Sequence, residues 1–347
     1  MTDTGQTALS RLLGLNGRAG SDLRRASRIR GWEILFWTLP VLGWFLFPED
    51  LFLLSQIAIF SIFALSLDML LGVAGVLTLG HAAFLGLGAY TAGMVPAYLG
   101  IGDPLVGLAA SAALAAAAGA LTSPLILRGD GLSQLMVSIG INAMLFEAAN
   151  KATSFTGGVD GLSGVFFTPL FGLWDFDLWG RTGYVYTMVL LFLVFLICRM
   201  VLTSPYGVSL RAIHQNSARM PALGVGVKGR LTMVWILAAA MAGLAGGLMT
   251  QVTQFVSLST LGLDKSAEVL LMLILGGAGR LYGAIIGATA YMLLHHALSG
   301  LDPEYWQLWI GIIFIGLVLF VRGGILGALD RILGLRHAKA PSKGNKV

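Results

Sequence analysis

The sequence predicts an all-α membrane protein, a polytopic bundle of about ten transmembrane helices with one or more broken or re-entrant segments. Of its 347 residues, 56% are hydrophobic and only 11% are charged, whereas charged residues make up about 25% of an ordinary soluble domain. The apolar residues also form long blocks, such as Leu51–Leu71, in which Asp68 is the single charge. Because about 20 apolar residues cross a hydrocarbon core, these blocks predict membrane spans.

The apolar blocks are assigned as spans in chain order, each starting where polar or turn-forming residues give way to apolar ones. The 47 glycines agree with this assignment, because glycine lets membrane helices approach closely. The eighth block is too short to cross a membrane alone, and we expect it to be re-entrant or broken. The predicted spans are Trp32–Phe47, Leu51–Leu71, Leu79–Leu99, Leu105–Leu127, Gln134–Asn150, Tyr184–Leu202, Leu231–Phe255, Glu268–Leu275, Leu281–Ser299 and Gln307–Val321.

The distribution of lysine and arginine predicts the orientation, because the cytoplasmic connections of membrane proteins are enriched in both residues. With the N-terminus inside, all but three of the 22 basic residues fall on the cytoplasmic side. The three exceptions are Lys151, Arg181 and Lys265. We therefore expect an even number of crossings and both termini in the cytoplasm.

Three regions follow from this arrangement. Residues 1–31 are arginine-rich and precede the first apolar run, so we expect a cytoplasmic arm that contacts anionic membrane lipid, and not a signal peptide. Residues 32–321 form the transmembrane domain, and residues 322–347 form a cytoplasmic basic tail. Beside so much membrane-embedded chain, we expect no nucleic-acid partner.

Two connections are longer than the others. The outer loop, residues 151–183, is rich in glycine and aspartate, which indicates turns, and its tryptophans suit a membrane interface. The inner loop, residues 203–230, interleaves apolar residues with arginine, histidine, glutamine and asparagine. That mixture predicts a short helix that lies along the inner face of the membrane between Ser204 and Val225.

The sequence offers little other chemistry. It contains no phosphate-binding loop of the Gly-x-x-x-x-Gly-Lys-Ser/Thr type, so we expect no ATP hydrolysis by this chain itself. No histidines and cysteines have metal-ligand spacing, and no Gly-x-Ser-x-Gly elbow occurs. The single cysteine, Cys198, excludes an intramolecular disulfide. We expect a protein that is not an enzyme and needs no cofactor.

Three sequence blocks carry a family resemblance. They are ALSLDMLLGVAGVLTLGHAAFLGLGAY at 64–90, YGVSLRAIHQN at 206–216 continuing to ALGV at 222–225, and LMLILGGAGRLYG at 271–283. Together they resemble the membrane permeases of ABC importers for branched-chain (hydrophobic) amino acids. The final span and the RGGIL that follows it look most like the longer of the two paired permeases, the LivM type. Asp68 departs from the pattern, where asparagine is expected, and so do Met220 and Pro221.

The resemblance implies a location and a set of partners. Such a permease lies in the bacterial inner membrane and pairs with a second homologous permease subunit. Two ATP-binding cassette ATPase subunits drive it, and an extracytoplasmic substrate-binding protein delivers the substrate. In this family the inner loop forms a coupling helix that sits on the ATPase. The matching positions here are Gly207, Arg211, Ala212, His214, Asn216, Ala222, Leu223 and Gly224.

A second group of residues is a candidate for the translocation path. Glycine and β-branched residues lower helix preference in the first block, so we expect the helix to be interrupted between Gly72 and Gly80. Each glycine alone is better explained by close helix packing, and only the cluster as a whole favours a break. Asp68 and His81 have structural alternatives as well, as a partner for backbone groups and as a packing residue. The candidate path residues are Asp68, Gly75, Gly80 and His81.

Other functions remain open from the sequence. A related ABC permease for urea, amides or another amino acid has the same features. A stand-alone, ion-coupled secondary transporter needs internal repeats and ionisable residues near the midplane. Asp68 and His81 are only weak candidates for such ionisable residues. A membrane-embedded enzyme is the third alternative, although the sequence shows no catalytic constellation.

Overall fold

The computed structural model describes residues 31–129, 131–170, 174, 180–320 and 323–327. Over these residues the chain is helical, and β structure is confined to isolated bridges such as Leu162 with Val256. The predicted all-α fold class is therefore confirmed. The basic arm before Gly31, the acidic and tryptophan residues at 175–179 and most of the C-terminal tail lie outside the described residues.

The helices alternate with short connections in chain order. Residues Met69–Ala74 extend α2 as a π-helical turn, and 3₁₀ turns occur at Gly158–Asp160, Pro221–Leu223 and Leu258–Leu261. The main helices are α1 Gly31–Leu46, α2 Leu51–Asp68, α3 Ala82–Leu99, α4 Pro104–Ile126, α5 Leu132–Lys151, α6 Arg181–Thr203, α7 Pro205–Gln215, α8 Val227–Thr253, α9 Leu263–Gly276, α10 Leu281–Leu301 and α11 Trp306–Phe320.

Seven of the described helices are long and apolar enough to cross a membrane. They are α2 with its π turn, α3, α4, α5, α6, α8 and α10. The predicted first, eighth and last spans also coincide with helices, α1, α9 and α11, but these are shorter. The predicted count of about ten transmembrane helices is therefore not confirmed, because length and composition support seven among the described residues.

The bundle packs through small residues. A Cβ atom added to Gly88 would collide with the backbone of Gly243, and one added to Gly246 would collide with the backbone of Leu85. Helices α3 and α8 thus touch backbone to backbone, which only glycine permits. A side-chain hydroxyl also links α4 to α3, since Ser111 Oγ donates to the Gly88 carbonyl at 2.8 Å. The high glycine content is in this respect a packing feature.

Helix α5 contrasts with this tightly packed group. Only 11% of the residues in its most apolar stretch are buried within the protein, although the helix is long enough to cross a membrane. Glu147, near its C-terminal end, is exposed and lies 3.5 Å from Lys151. Glu147 is therefore accessible to water and paired with a neighbouring cation. The remaining face of α5 is left for lipid or for another protein.

Candidate functional site

The predicted helix interruption is present. The π turn that extends α2 ends at Gly75, whose φ is +74°, and no helix resumes until Ala82. A left-handed φ at that position needs glycine, because a Cβ atom makes the conformation costly. Residues 75–81 run back beside α2, since Ser66 Oγ lies 2.7 Å from Nε2 of His81. The first sequence block is thus a broken helix pair.

Asp68 joins this break to a second one. Its Oδ1 atom accepts a hydrogen bond from the amide of Gly279, at 2.6 Å. Gly72 lies so close to Gly279 that a Cβ atom would collide with the backbone there. Gly279 itself has a φ of +83° in the connection between α9 and α10. The first and third sequence blocks therefore meet inside the protein, at the glycines of LGVAG, 71–75, and LGGAG, 275–279.

His81 is surrounded by protein. Its side chain is fully buried, and its ring stacks on Phe63 with centroids 5.5 Å apart and planes 9° from parallel. Gly80 lies against the Ser138 backbone of α5. Asp68 is also fully buried. These surroundings favour the structural alternatives for Asp68 and His81, and a place on the translocation path stays a prediction for all four candidates.

The predicted helix of the inner loop is present as α7. Ser204 caps it by accepting a hydrogen bond from the Gly207 amide, and Pro205 occupies the first turn. The Tyr206 hydroxyl donates to the Arg230 carbonyl at 2.7 Å, which fixes α7 to the start of α8. Burial raises the pKa of Tyr206 to about 12, so the phenol remains a proton donor. The helix is confirmed, and its cytoplasmic location remains a prediction.

The coupling candidates occupy different surroundings. Gly207 packs against the backbone of Leu202, and Arg211 is exposed on α7. Asn216 Oδ1 accepts a hydrogen bond from the Arg219 amide, at 3.2 Å, as the chain turns after α7. Ala222, Leu223 and Gly224 form an exposed turn in which Gly224 has a φ of +76°. Ala212 is half-buried, on the same helix as Arg211.

One contact connects the two groups of candidates. A cavity of about 680 Å³ lies between the α2 break and α7 with the turn that follows it, and both Gly75 and His214 line it. A Cβ atom added to Gly75 would lie 2.7 Å from Cδ2 of His214. The structure thus places α7 directly against the end of the broken helix. Asp68, Gly80 and His81 are not among the residues that line this cavity.

The sequence analysis missed a charged cluster at the start of α9. Lys265 Nζ donates to both carboxylate oxygens of Glu268, at 3.0 and 2.8 Å. Asp264 precedes them and is exposed. The prediction began the eighth span only at Glu268 and treated Lys265 as a basic residue outside the cytoplasmic side. Three ionisable residues lie within five positions next to an apolar run, and this pattern indicates a charged cluster at the end of a membrane segment.

The eighth span is also longer than predicted. Helix α9 begins at Leu263, after Gly262 adopts an extended conformation, and continues to Gly276. The predicted start at Glu268 is therefore wrong. Between α8 and α9 the chain turns at Gln254, whose φ is +53°, and then forms the 3₁₀ turn Leu258–Leu261. A broken segment at this point was predicted, and the break precedes α9.

The arrangement connects elements that are distant in the chain. Among the residues that the structure describes, no three histidine, cysteine, aspartate or glutamate side chains are grouped to hold a metal ion. What the geometry provides is a pair of glycine-rich breaks joined by Asp68, a helix that contacts the first break, and a charged cluster at the end of α9 away from the second break. Such broken helices are characteristic of transport proteins.

Comparison with known proteins gives a consistent result. Residues 51–318 match the family model described as the permease component of branched-chain amino acid transport systems. The chain is 29% identical over 310 residues to the high-affinity branched-chain amino acid permease LivM of Escherichia coli K12, covering 81% of this chain and 71% of the relative. LivM of Salmonella typhimurium matches equally, at 29% over 310 residues.

A more distant similarity covers part of the chain. A probable branched-chain amino acid permease, LivH of Methanocaldococcus jannaschii, is 28% identical over 167 residues, or 47% of this chain and 52% of the relative. No solved structure matches the chain with significance.

Proposed function

This chain belongs to the family of permease components of branched-chain amino acid transport systems, and we propose that it is the LivM-type permease of an ATP-driven importer for branched-chain amino acids. The family match over residues 51–318 is the observation that carries this proposal. The chain holds no phosphate-binding loop of its own, so in this proposal ATP is hydrolysed by another subunit.

The permease would work with several partners. We infer a second homologous permease, two ATP-binding cassette ATPase subunits on the cytoplasmic side and an extracytoplasmic substrate-binding protein. The protein would lie in a bacterial inner membrane with both termini in the cytoplasm, as the lysine and arginine distribution favours. Counting α1, α9 and α11 with the seven longer helices gives ten membrane segments, which agrees with that orientation.

Coupling would run through α7. When two ATPase subunits close on ATP, they would move the coupling segment, and the contact between His214 and Gly75 offers a direct route into the broken helix. A conformational balance shifts only if a ligand or partner favours one state over the other. Here the nucleotide-loaded ATPase would supply that difference. The two helix breaks, which the hydrogen bond from Gly279 to Asp68 joins, would then change conformation.

Uptake by cells tests the proposal. Deletion of the gene for this chain should abolish high-affinity uptake of labelled leucine, isoleucine or valine, and the plasmid-borne chain should restore it. The tagged chain should also co-purify with ATPase subunits from detergent extracts. Restored uptake of urea or amides in place of branched-chain amino acids would favour the related permeases. A chain that transports after purification without any ATPase would favour a stand-alone transporter.

A further inference from the structure

The charged cluster formed by Asp264, Lys265 and Glu268 has no role in the coupling route described above. Lys265 and Glu268 pair with each other, and their side chains keep 24% and 20% exposure. Asp264 is exposed and has no ion-pair partner among the described residues. The cluster therefore combines a cationic group and two carboxylates on one accessible part of α9.

Three contacts place the cluster and the turn before it beside inner parts of the candidate membrane spans. Lys265 Nζ lies 5.7 Å from the ring centroid of Phe60. At about 1.5 Å per residue, Phe60 is roughly 14 Å along a segment, Leu51–Ala74, that is roughly 36 Å long. Leu261 accepts a hydrogen bond from Asn142, midway along α5, at 3.1 Å. Ser266 Oγ accepts one from the amide of Ala82, at 2.8 Å.

Contact with lipid does not explain charged side chains at this position, because burying a charge in lipid is costly. Ionisable side chains within membrane segments face the protein interior or a water-filled path, and they mark the routes of polar substrates. The chain just before the cluster supports a water-filled path. Residues 254–262 are not α-helical, and Ser257 and Ser259 place their hydroxyls 2.6 Å apart on an accessible surface. Backbone of this kind at membrane depth is tolerated where it lines a cavity or packs on protein.

We propose that Asp264, Lys265 and Glu268 bind the charged ends of a zwitterionic amino acid on the translocation path. The inference rests on the proposed function, which supplies the substrate class. The Lys265 ammonium binds the substrate carboxylate, and the carboxylates of Glu268 and Asp264 bind the substrate ammonium. Without substrate, Lys265 and Glu268 neutralise each other, which lowers the cost of keeping both in the membrane.

The neighbouring surface suits the rest of such a substrate. Leu263 is 45% exposed and Phe255 is 43% exposed, on either side of the hydroxyl-lined segment. An aliphatic side chain gains free energy by leaving water for such a surface. Charged ends held by the cluster and an apolar side chain on these residues would together select a small hydrophobic amino acid. The rival occupant is the second permease, whose contact would shield the cluster from water.

Thiol labelling separates these two occupants. The only native cysteine, Cys198, is fully buried, so Ser259→Cys adds a single accessible thiol on the exposed segment before the cluster and leaves its three charges in place. In the assembled importer, a membrane-impermeant hydrophilic thiol reagent should label position 259, and leucine should slow the labelling in proportion to its occupancy. Ile315→Cys, on the 65% exposed apolar surface of α11, is the control that should stay unlabelled. No labelling at 259, or labelling that leucine leaves unchanged, overturns the proposal.

A transport measurement provides a second test. The double variant Lys265→Gln with Glu268→Gln keeps hydrogen-bonding groups but removes both charges, and should lower leucine uptake by about tenfold or more. The matched control is Glu147→Gln with Lys151→Gln, which removes an exposed ion pair from α5 and should transport normally. Equal uptake by both double variants sinks the proposal. If the cluster variant fails to assemble, labelling at position 259 decides.

The wild-type importer distinguishes this inference from the proposed function. If it takes up no branched-chain amino acid, the proposed function fails and the inference falls with it. If uptake is normal but leucine does not protect position 259, the function stands and only the binding site is wrong.

Discussion

Gly75 lies where α7 meets the broken helix. Its φ of +74° belongs to the left-handed region, and the His214 ring lies over the place that a Cβ atom would take. Two separate penalties therefore act on any side chain introduced there. One is backbone strain, of about 1 kcal/mol for alanine. The other is displacement of His214.

We predict that Gly75→Ala lowers transport-linked ATP hydrolysis in the assembled importer, because it pushes His214 and α7 away from the break. Gly100→Ala is the matched control, since Gly100 has a φ of +66° but nothing within 4 Å of an added Cβ atom. The two variants share the strain and differ in the contact. ATPase rates with and without substrate-loaded binding protein measure the effect. Equal rates for both variants would show that the His214 contact is not used.

Asp68 acts on backbone at a distance of more than two hundred residues in sequence, through its bond to Gly279. We predict that Asp68→Ala destabilises the protein by about 1–3 kcal/mol, because the buried Gly279 amide loses its acceptor. Asp68→Asn retains an oxygen at that position and should lose much less. Thermal unfolding in detergent compares the two. Similar melting temperatures for Asp68→Ala and wild type would contradict this role.

The residue-scale chemistry was predictable only in part. An aspartate next to a glycine-rich break suggested a partner for backbone groups, and the structure supplies one. Its identity could not be read from the sequence, because Gly279 comes close only when two distant helix pairs fold together. The Lys265 and Glu268 pair was missed for a different reason. Lys265 was assigned to an outer connection by counting charges. A charge count does not show that α9 begins before Lys265, at Leu263.

At the scale of elements, α7 is the part that we propose contacts the ATPase. It is eleven residues long, is anchored at Ser204 and Tyr206, and exposes Arg211. An anchored, amphipathic helix presents a defined surface to a partner. The adjoining turn at Pro221–Leu223 extends the same exposed region.

We predict that Arg211→Glu reduces transport and coupled ATP hydrolysis while the permease remains folded and inserted. A charge that is buried and hydrogen-bonded in an interface costs about 2–5 kcal/mol when its partner is lost, and a rim charge costs much less. The size of the defect therefore reports how deeply the ATPase covers Arg211. Arg331→Glu, a reversal in the basic tail, is the control. An assembled Arg211→Glu importer that transports like this control would reduce Arg211 to an orientation charge.

Element boundaries illustrate what apolar blocks can and cannot predict. Long blocks such as the one that became α2 were located within a few residues, and a break between Gly72 and Gly80 followed from local composition. The third span was predicted to begin too early, at Leu79, because α3 begins only at Ala82. Residues 75–81 keep apolar residues such as Val76, which is buried, so composition does not separate this stretch from helix.

For the whole molecule, the sidedness of the loops is the prediction on which the coupling account depends. Val159 is 80% exposed in the predicted outer loop, and Leu223 is 74% exposed in the predicted inner loop. We predict that an impermeant thiol reagent labels Val159→Cys in intact spheroplasts and Leu223→Cys only after the membrane is opened. The buried Cys198 keeps the background low. The reverse pattern would place α7 outside the cell and exclude it from contact with an ATPase.

ATP-dependent uptake by proteoliposomes tests the central claim most directly. The chain is reconstituted with its partner permease and ATPase subunits, and the binding protein and labelled leucine are added on the side that corresponds to the cell exterior. ATP on the opposite side should drive leucine accumulation above equilibrium, and a non-hydrolysable ATP analogue should not. Accumulation that is equal with and without ATP, or that follows an imposed proton gradient, would contradict the assignment as an ATP-driven permease.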